Sequence, residues 1–375
     1  MIYLDNSATT KPYVEVLDEY NRISKEVYFN PSALHTAGIY AERETEKARK
    51  QIYSLMEKKK GRIIFTSGGT EADNMAILGA VYANKNKGNH IITTKIEHKA
   101  VLNACEYLEK TGYTVSYIGV NKDGVVDLEE LKNAITDKTV LISVMLVNNE
   151  TGVVQPLNAI KEIAGDIIVH TDAIQGFGKV SLKDIDADLI SVSSHKIHGP
   201  KGVGALYIKD GVKITNINFG GGQEYNLRSG TLNVPGIVGF GKAAEIAYNN
   251  FENNVSYLKN LREYVITSLK DKIENVYING DESSVNIISA AFDNVRGEVL
   301  LHELENSEIY VSTGSACNSK NTKVSYVLDA MKVKHNLAEG TVRISLSVMN
   351  TKEEIDEAVL KISEAVSVLR KFKRR

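Results

Sequence analysis

Short apolar runs separated by amphipathic stretches make up the middle of the chain. Several of the stretches carry apolar residues at helical spacing. The runs are rich in branched apolar residues and are predicted to be strands: Arg62–Thr66, His90–Thr94, Thr114–Ile118, Val140–Leu146, Ile167–Thr171, Leu189–Ser193 and Gly204–Ile208. This alternation predicts an α/β fold in which a mainly parallel seven-stranded sheet is covered by helices.

The pattern changes in the last third of the chain. A long helical stretch is followed by a few strands, such as Ser284–Ala291, and by a terminal helix from Thr351 onward. This change predicts a second, smaller α+β domain. We expect the large domain to span residues 14–245 and the small domain to combine residues 1–13 and 246–375.

Composition and charge narrow the class of protein. At 375 residues, with 43% hydrophobic and 25% charged residues, the chain has a globular composition. Its formal net charge of −2 gives no overall basic field, so direct nucleic-acid binding is not expected. The longest apolar run, Thr139–Val147, is far shorter than the roughly 20 residues needed to cross a bilayer. Because the start lacks the regions of a signal peptide, we expect a cytoplasmic protein.

The chain has only two cysteines, Cys105 and Cys317. Two are too few for a disulfide scaffold, and no Cys/His cluster has zinc-ligand spacing, so we expect no metal site. Cys105 recurs with apolar neighbours at helical spacing and is predicted to be an inert core residue. Cys317 lies in a stretch of small polar residues, Thr313–Lys320, and is either a reactive nucleophile or an incidental surface thiol.

A glycine-rich sequence, TSGGTEADN at residues 66–74, follows a predicted strand and opens a helix. Glycine lets the backbone approach a ligand closely, and the unpaired N–H groups of a helix start bind anions. Gly69 and Thr70 therefore belong either to a phosphate cradle or to a plain tight turn. The stretch has no Walker lysine and no GxGxxG spacing, which excludes the common nucleotide-binding loops.

Two more motifs follow apolar strands, at the edge where open α/β sheets bind ligands. Asp172 either caps a helix or pairs with a pyridinium nitrogen, and Gln175 could donate to a ring hydroxyl. Lys196 lies between two histidines, where burial and nearby cationic groups can lower the pKa of an amine for Schiff-base chemistry. Ser193 and His195 are placed to reach a phosphate beside it.

Arg343 lies on a predicted strand of the small domain. A guanidinium group binds a carboxylate through two parallel hydrogen bonds, so Arg343 could hold the α-carboxylate of an amino acid. A surface salt bridge is the alternative.

Together these residues closely resemble the cysteine desulfurases of the NifS/IscS type, which are class V, fold-type I enzymes that use pyridoxal 5′-phosphate (PLP). The Cys317 stretch resembles the group with the longer, SGSAC-containing loop. The similarity runs nearly from end to end, through YLDNSATT, FNPSALH, TSGGTEADN, EHKAV, VNNETG, HTDAIQ, SSHKIHGPKG, RSGTLNVP, TGSACNS and VRISL.

The resemblance implies a role for each matching residue. Lys196 would hold PLP as a Schiff base, His98 would stack on its ring and move protons, and Asp172 would pair with the ring nitrogen. Arg343 and Asn149 would bind the substrate. The other cofactor contacts would come from Gly69, Thr70, Asn149, Gln175, Ser193, His195 and, across a homodimer interface, Thr231 of the neighbouring subunit.

The implied reaction converts L-cysteine to L-alanine and leaves the sulfur as a persulfide on Cys317. A protein of iron–sulfur cluster assembly or a tRNA-thiolation enzyme would then accept the sulfur. Because one loop must reach both the site and the acceptor, we expect residues 313–323 to be mobile. The alternatives are another class V reaction, such as selenocysteine cleavage or transamination, and a catalytically inactive sulfur-relay partner.

Overall fold

The computed structural model describes residues 1–58, 60–314 and 324–372. Its strands are β1 (Ile2–Tyr3), β2 (Arg62–Thr66), β3 (His90–Thr94), β4 (Thr114–Ile118), β5 (Thr139–Ser143), β6 (Ile168–Asp172), β7 (Leu189–Ser193), β8 (Gly204–Ile208), β9 (Val276–Asn279), β10 (Ile287–Phe292), β11 (Ile309–Tyr310) and β12 (Thr341–Ser345). Its helices are α1 (Val14–Glu26), α2 (Thr36–Met56), α3 (Gly69–Ala83), α4 (Lys99–Lys110), α5 (Leu128–Ala134), α6 (Leu157–Ala164), α7 (Val234–Asn249), α8 (Phe251–Lys272), α9 (Gly297–Glu305), α10 (Tyr326–Ala330), α11 (His335–Glu339) and α12 (Lys352–Lys371).

Seven strands form one sheet in the order β2-β8-β7-β6-β5-β3-β4. β8 is antiparallel to both of its neighbours, and the other pairs are parallel. The predicted α/β fold with a mainly parallel seven-stranded sheet is therefore confirmed.

Helices pack on both faces of this sheet. Successive strand residues point to opposite faces, and the hydrophobic clusters divide accordingly. Ile64 and Ile91 pack with apolar residues of α3 and α4, whereas Ile63 and Ile92 pack with those of α2 and α7. Burial on both faces explains why these strands have continuous apolar sequences instead of alternating ones.

β5 ends at Ser143, earlier than the predicted end at Leu146. The cause is a side chain. The N–H groups of Val144 and Leu146 still donate to β6, but the N–H of Met145 donates to the carboxyl group of Glu97, at 3.0 Å from Oε2, so the ladder is interrupted there. β6 differs from the prediction by one residue at each end and includes Asp172.

The last third of the chain and the first few residues share a separate hydrophobic cluster. Its sheet is antiparallel, in the order β12-β10-β9, and β1 pairs in parallel with β11. Ile2 and Leu4 pack in this cluster against apolar residues of the helices around the small sheet. The predicted domain boundary at residue 245 falls within α7 and stays a prediction.

The terminal helix begins where the sequence predicts. Thr351 caps α12 and forms a capping box with Glu354, so two N–H groups at the helix start are satisfied by side chains. In the described ranges, no helix combines the length and the apolar character that crossing a membrane requires.

Candidate active site

The predicted site residues converge at the carboxyl edge of the seven-stranded sheet. Asp172 ends β6, Ser193 ends β7, and Lys196 lies in the 3₁₀ turn that follows β7. These residues line one cavity of about 600 Å³, measured with its open mouth. Its predicted lining residues are Gly69, Thr70, His98, Asn149, Asp172, Gln175, Ser193, His195 and Lys196.

A larger cavity of about 1220 Å³, again measured with its mouth, adjoins the first. The two share His98 and Lys196, and the larger one reaches Arg343. Thr231 is exposed and lines neither cavity, and its role toward a neighbouring subunit stays a prediction.

Cys317 and residues 315–323 lie outside the described residues, and so does most of the loop predicted to be mobile. The described residues on either side of this segment are Gly314 and Val324. Both line the larger cavity, together with Lys196 and Arg343. The two attachment points of the Cys317 segment are thus part of the site.

The glycine-rich loop packs tightly against β8. A Cβ on Gly204 would lie 2.7 Å from the carbonyl carbon of Gly68, so the contact requires glycine at position 204. The loop leads into the start of α3, whose first N–H groups have no partner within the helix. Beside them, the hydroxyl of Ser193 is buried without a hydrogen-bond partner. The tight turn therefore also has the donors of an anion site.

Asp172 closes a turn and does not cap a helix. Its Oδ1 accepts the N–H of Ile174 at 2.9 Å, and β6 is followed by turns instead of a helix. Burial raises the pKa of Asp172, while His98 and Lys196 lower it. A cationic ring nitrogen against this carboxyl would favour its ionised form.

His98 caps α4, because its Nδ1 accepts the N–H of Ala100 at 3.1 Å. The neutral ring therefore carries its proton on Nε2. Burial lowers the pKa of His98, Asp172 raises it, and Lys196 and Lys99 lower it further. A neutral imidazole beside Lys196 can take up or return a proton.

The amine of Lys196 meets the N-terminal segment of the chain. Its Nζ donates to the backbone oxygens of Ser7 and Ala8, the latter at 2.9 Å. Gln175 Nε2 donates to the same oxygen of Ser7 at 2.9 Å, so one of its two N–H groups is already used. Burial, with a smaller effect of Lys196, lowers the pKa of His195 to about 4, which leaves a neutral ring at this end of the cavity.

Arg343 is held by two contacts. Its Nη2 donates to Asp5 Oδ1 at 2.7 Å, and its Nη1 donates to the backbone oxygen of Asn149 at 2.9 Å. Its Nε is buried without a hydrogen-bond partner, and so is Oδ1 of Asn149. With Ser193 Oγ, these atoms fit a ligand that offers a phosphate, a ring hydroxyl and a carboxylate.

Sequence reasoning missed three contributors to this site. Asp5 and Ser7 lie in YLDNSATT, which carries the family resemblance but gave no local sign of a role. Lys179 lies behind the cavity, where its Nζ donates to the backbone oxygen of Lys196 at 3.0 Å. Burial lowers the pKa of Lys179 to about 7. Among the described residues, no cluster of three or more His, Cys, Asp or Glu side chains has a metal-binding arrangement.

Comparisons with known proteins agree with this geometry. The family model for class-V aminotransferases matches residues 2–358. A protein named cysteine desulfurase IscS from Clostridium botulinum is 46% identical over 363 residues, which cover 95% of this chain and 91% of the relative. Its counterpart from Methanosarcina thermophila is 44% identical over 375 residues, covering 98% and 93%.

Solved structures give the same result. A structure titled NifS-like protein superposes with a TM-score of 0.91 at 39% identity and covers 98% of this chain and 99% of its own. One titled SspA in complex with cysteine has a TM-score of 0.82 at 33% identity and covers 94% and 100%. The chain therefore belongs to the class-V aminotransferase family and, within it, to the PLP-dependent cysteine desulfurases of the NifS/IscS type.

Proposed function

We propose that this protein binds PLP on Lys196, takes sulfur from L-cysteine and carries it as a persulfide on Cys317. The observation that carries the proposal is the convergence of the site residues on two adjoining cavities. Lys196, Asp172 and Arg343 line connected cavities whose wall also contains both attachment points of the Cys317 segment.

The residues present fit PLP. The start of α3 and the hydroxyl of Ser193 would hold its phosphate, with the neutral ring of His195 nearby. Asp172 would face the ring nitrogen and keep it protonated, and Asn149 would bind at the ring hydroxyl. When bound, the ring acts as an electron sink for the substrate carbon.

Arg343 would bind the substrate carboxylate through its unpartnered Nε, while Asp5 fixes the orientation of the guanidinium. The related structure solved with cysteine supports cysteine as the substrate. Lys196 Nζ, once displaced by the substrate amine, and His98 would move protons between the substrate carbons. Burial suits His98 to this work, because it disfavours the charged form of the imidazole.

The sulfur step balances without an added oxidant. The thiolate of Cys317 attacks the substrate sulfur, forming an S–S bond while the C–S bond breaks and its electrons reduce the carbon. Cysteine and the protein thiol thus give alanine and a protein persulfide. An acceptor protein, serving iron–sulfur cluster assembly or tRNA thiolation, would take the sulfur in the cytoplasm.

A homodimer would complete the site through Thr231 of the partner subunit. On one chain the apolar side chains of Tyr28, Leu34 and Phe219 are 73%, 96% and 86% exposed, and burial in such an interface would remove them from water.

The test is to incubate the purified holoenzyme with L-cysteine and a reductant, and to quantify alanine and sulfide. Wild type should form both products, and Cys317→Ala and Lys196→Ala should not. Cys105→Ala is the matched control and should retain activity, because this thiol is buried in the core. If Cys317→Ala forms alanine and sulfide as fast as wild type, the persulfide step is wrong, and C–S cleavage without a protein thiol, as in a selenocysteine lyase, becomes the better interpretation.

A further inference from the structure

Glu150 is a buried carboxyl in the wall of the larger cavity that the reaction proposed above does not use. The residue is only 3% exposed. Its backbone N–H donates to Asn148 Oδ1 at 2.9 Å, and the Asn148 side chain donates in turn to the backbone oxygen of Ile96 at 3.0 Å. Glu150 is thereby fixed to the side of the site built by the seven-stranded sheet.

The carboxyl meets the chain on both sides of the Cys317 segment. The hydroxyl of Ser325 donates to Glu150 Oε2. From the other side the backbone of Gly314 comes so close that a Cβ there would lie 2.2 Å from the same oxygen. Ser325 Oγ also accepts the N–H of Val327 at 3.1 Å, which connects this contact to α10. One carboxylate oxygen thus lies against both ends of the segment.

Stability alone does not favour a carboxyl at this position. Burial raises the pKa of Glu150 to about 7, although Ser325, Arg343 and Lys99 lower it. A carboxyl removed from water is costly unless it is well paired, and an amide or apolar side chain of similar size would avoid the cost of a buried charge. Glu150 lies between Gly314, Ser325 and Arg343, and this position suggests a role in holding the chain there.

We propose that Glu150 is a positioning residue for sulfur transfer. It accepts the hydroxyl of Ser325 and packs against the backbone of Gly314, so that the residues flanking the Cys317 segment stay fixed relative to Lys196 and Arg343. The inference rests on the proposed function. In this role Glu150 does not touch the substrate, so its loss slows the step that needs Cys317 and leaves cysteine binding at the cofactor nearly unchanged.

The experiment separates these two steps in the holoenzyme. Cysteine binding is followed by the change in cofactor absorbance, and sulfur transfer by alanine formed in a single turnover. Glu150→Ala should leave the half-saturating cysteine concentration within about twofold, whereas alanine formation should slow about tenfold or more, as for loss of a hydrogen bond to a charged group. Glu150→Gln keeps an oxygen acceptor for Ser325 and should lose less.

A double-mutant cycle tests the contact itself. Gly314→Ala should slow sulfur transfer in wild type, because its methyl group would collide with Glu150 Oε2. The same change should have a smaller effect in the Glu150→Ala background, where that oxygen is gone. Additive effects of the two changes would overturn the proposal. If Glu150→Ala does not fold, a cycle of Ser325→Ala and Glu150→Gln measures the coupling across the other contact, between Ser325 and Glu150, and additive effects there would likewise overturn the proposal.

The outcomes distinguish this inference from the proposed function. If wild type forms no alanine from cysteine, the proposed function fails first. If wild type is active and Glu150→Ala transfers sulfur at the wild-type rate, only the role of Glu150 is wrong. Equal losses in cysteine binding and in sulfur transfer would also overturn the role, since they would place Glu150 in substrate binding.

Discussion

Asp5 holds the guanidinium of Arg343 in the active-site cavity, with 2.7 Å between Asp5 Oδ1 and Arg343 Nη2. The two residues come from opposite ends of the chain, and the side chain of Arg343 is only 10% exposed. The contact leaves Nε of Arg343 buried without a hydrogen-bond partner, in a position set by the contacts of the guanidinium. A substrate carboxylate therefore meets an arginine whose orientation is already fixed.

Arg343→Lys should raise the KM for cysteine about tenfold or more, because lysine cannot form the paired hydrogen bonds of a guanidinium. Asp5→Asn should raise KM less, since an amide oxygen still accepts from Nη2. Steady-state kinetics at fixed PLP occupancy measure both effects. Arg370→Lys, on α12 and outside both cavities, is the control and should leave KM unchanged. An unchanged KM in Arg343→Lys would remove Arg343 from substrate binding.

Asp172→Asn should lower kcat by about 10²-fold, the loss expected when one preorganised electrostatic contact of a reacting group is removed. Asparagine can still accept the N–H of Ile174, so the turn after β6 should persist. The measurement is kcat with bound PLP quantified by absorbance in each sample. Full activity at full occupancy would mean that Asp172 serves only the turn.

Glu97 should make the free energy of unfolding depend on pH well above the range in which a glutamate side chain ordinarily titrates. Burial raises the pKa of Glu97 to about 8, from 4.5, so the folded protein keeps this carboxyl neutral. Its contribution to the free energy of unfolding is complete below about pH 4.5 and disappears as pH rises toward 8, at up to about 1.4 kcal/mol per pH unit.

Urea unfolding of the holoenzyme between pH 5.5 and 8 tests this expectation. Glu97→Gln retains an acceptor for the N–H of Met145. Its free energy of unfolding should decline less steeply with pH than that of wild type, by the slope that the titration of about one proton contributes. Parallel declines in the two proteins would exclude Glu97 as the source.

Cys105 should be unreactive in the folded protein. It is fully buried, and burial raises the pKa of its thiol to about 12. A thiol reagent should therefore modify Cys105 only after denaturation. Cys105→Ala should reduce stability by about 1 kcal/mol and leave desulfuration unchanged. Modification of Cys105 in the native protein, detected by mass spectrometry, would contradict this placement.

Much of the fold could be predicted because its signals are local. Each strand of the large sheet is a continuous apolar run, since helices bury both of its faces. The end of β5 could not be predicted, because a side chain distant in sequence, Glu97, takes the N–H of Met145. Nothing in the sequence from Val140 to Leu146 indicates that the side chain of Glu97 binds there.

The site residues also divide into those with a local signal in the sequence and those without one. Asp172 and Lys196 could be found because each follows an apolar strand, and parallel strands bring their carboxyl ends to one edge. Asp5, Ser7 and Lys179 reach the site through contacts between distant parts of the chain. Their local sequence carries no periodicity or cap that marks them. The family resemblance included the motif of Asp5 and Ser7 but assigned neither residue a role, and Lys179 lies outside its motifs.

The pairing of Asp5 with Arg343 also bears on how the protein is made. The two residues are separated by 338 positions, so the cavity cannot close while the chain is still being synthesised. Contacts of such sequence separation form slowly and late in folding. The completed substrate site must therefore wait for the last strand of the small sheet, and a chain that stops before β12 should lack the arginine proposed to bind the substrate carboxylate.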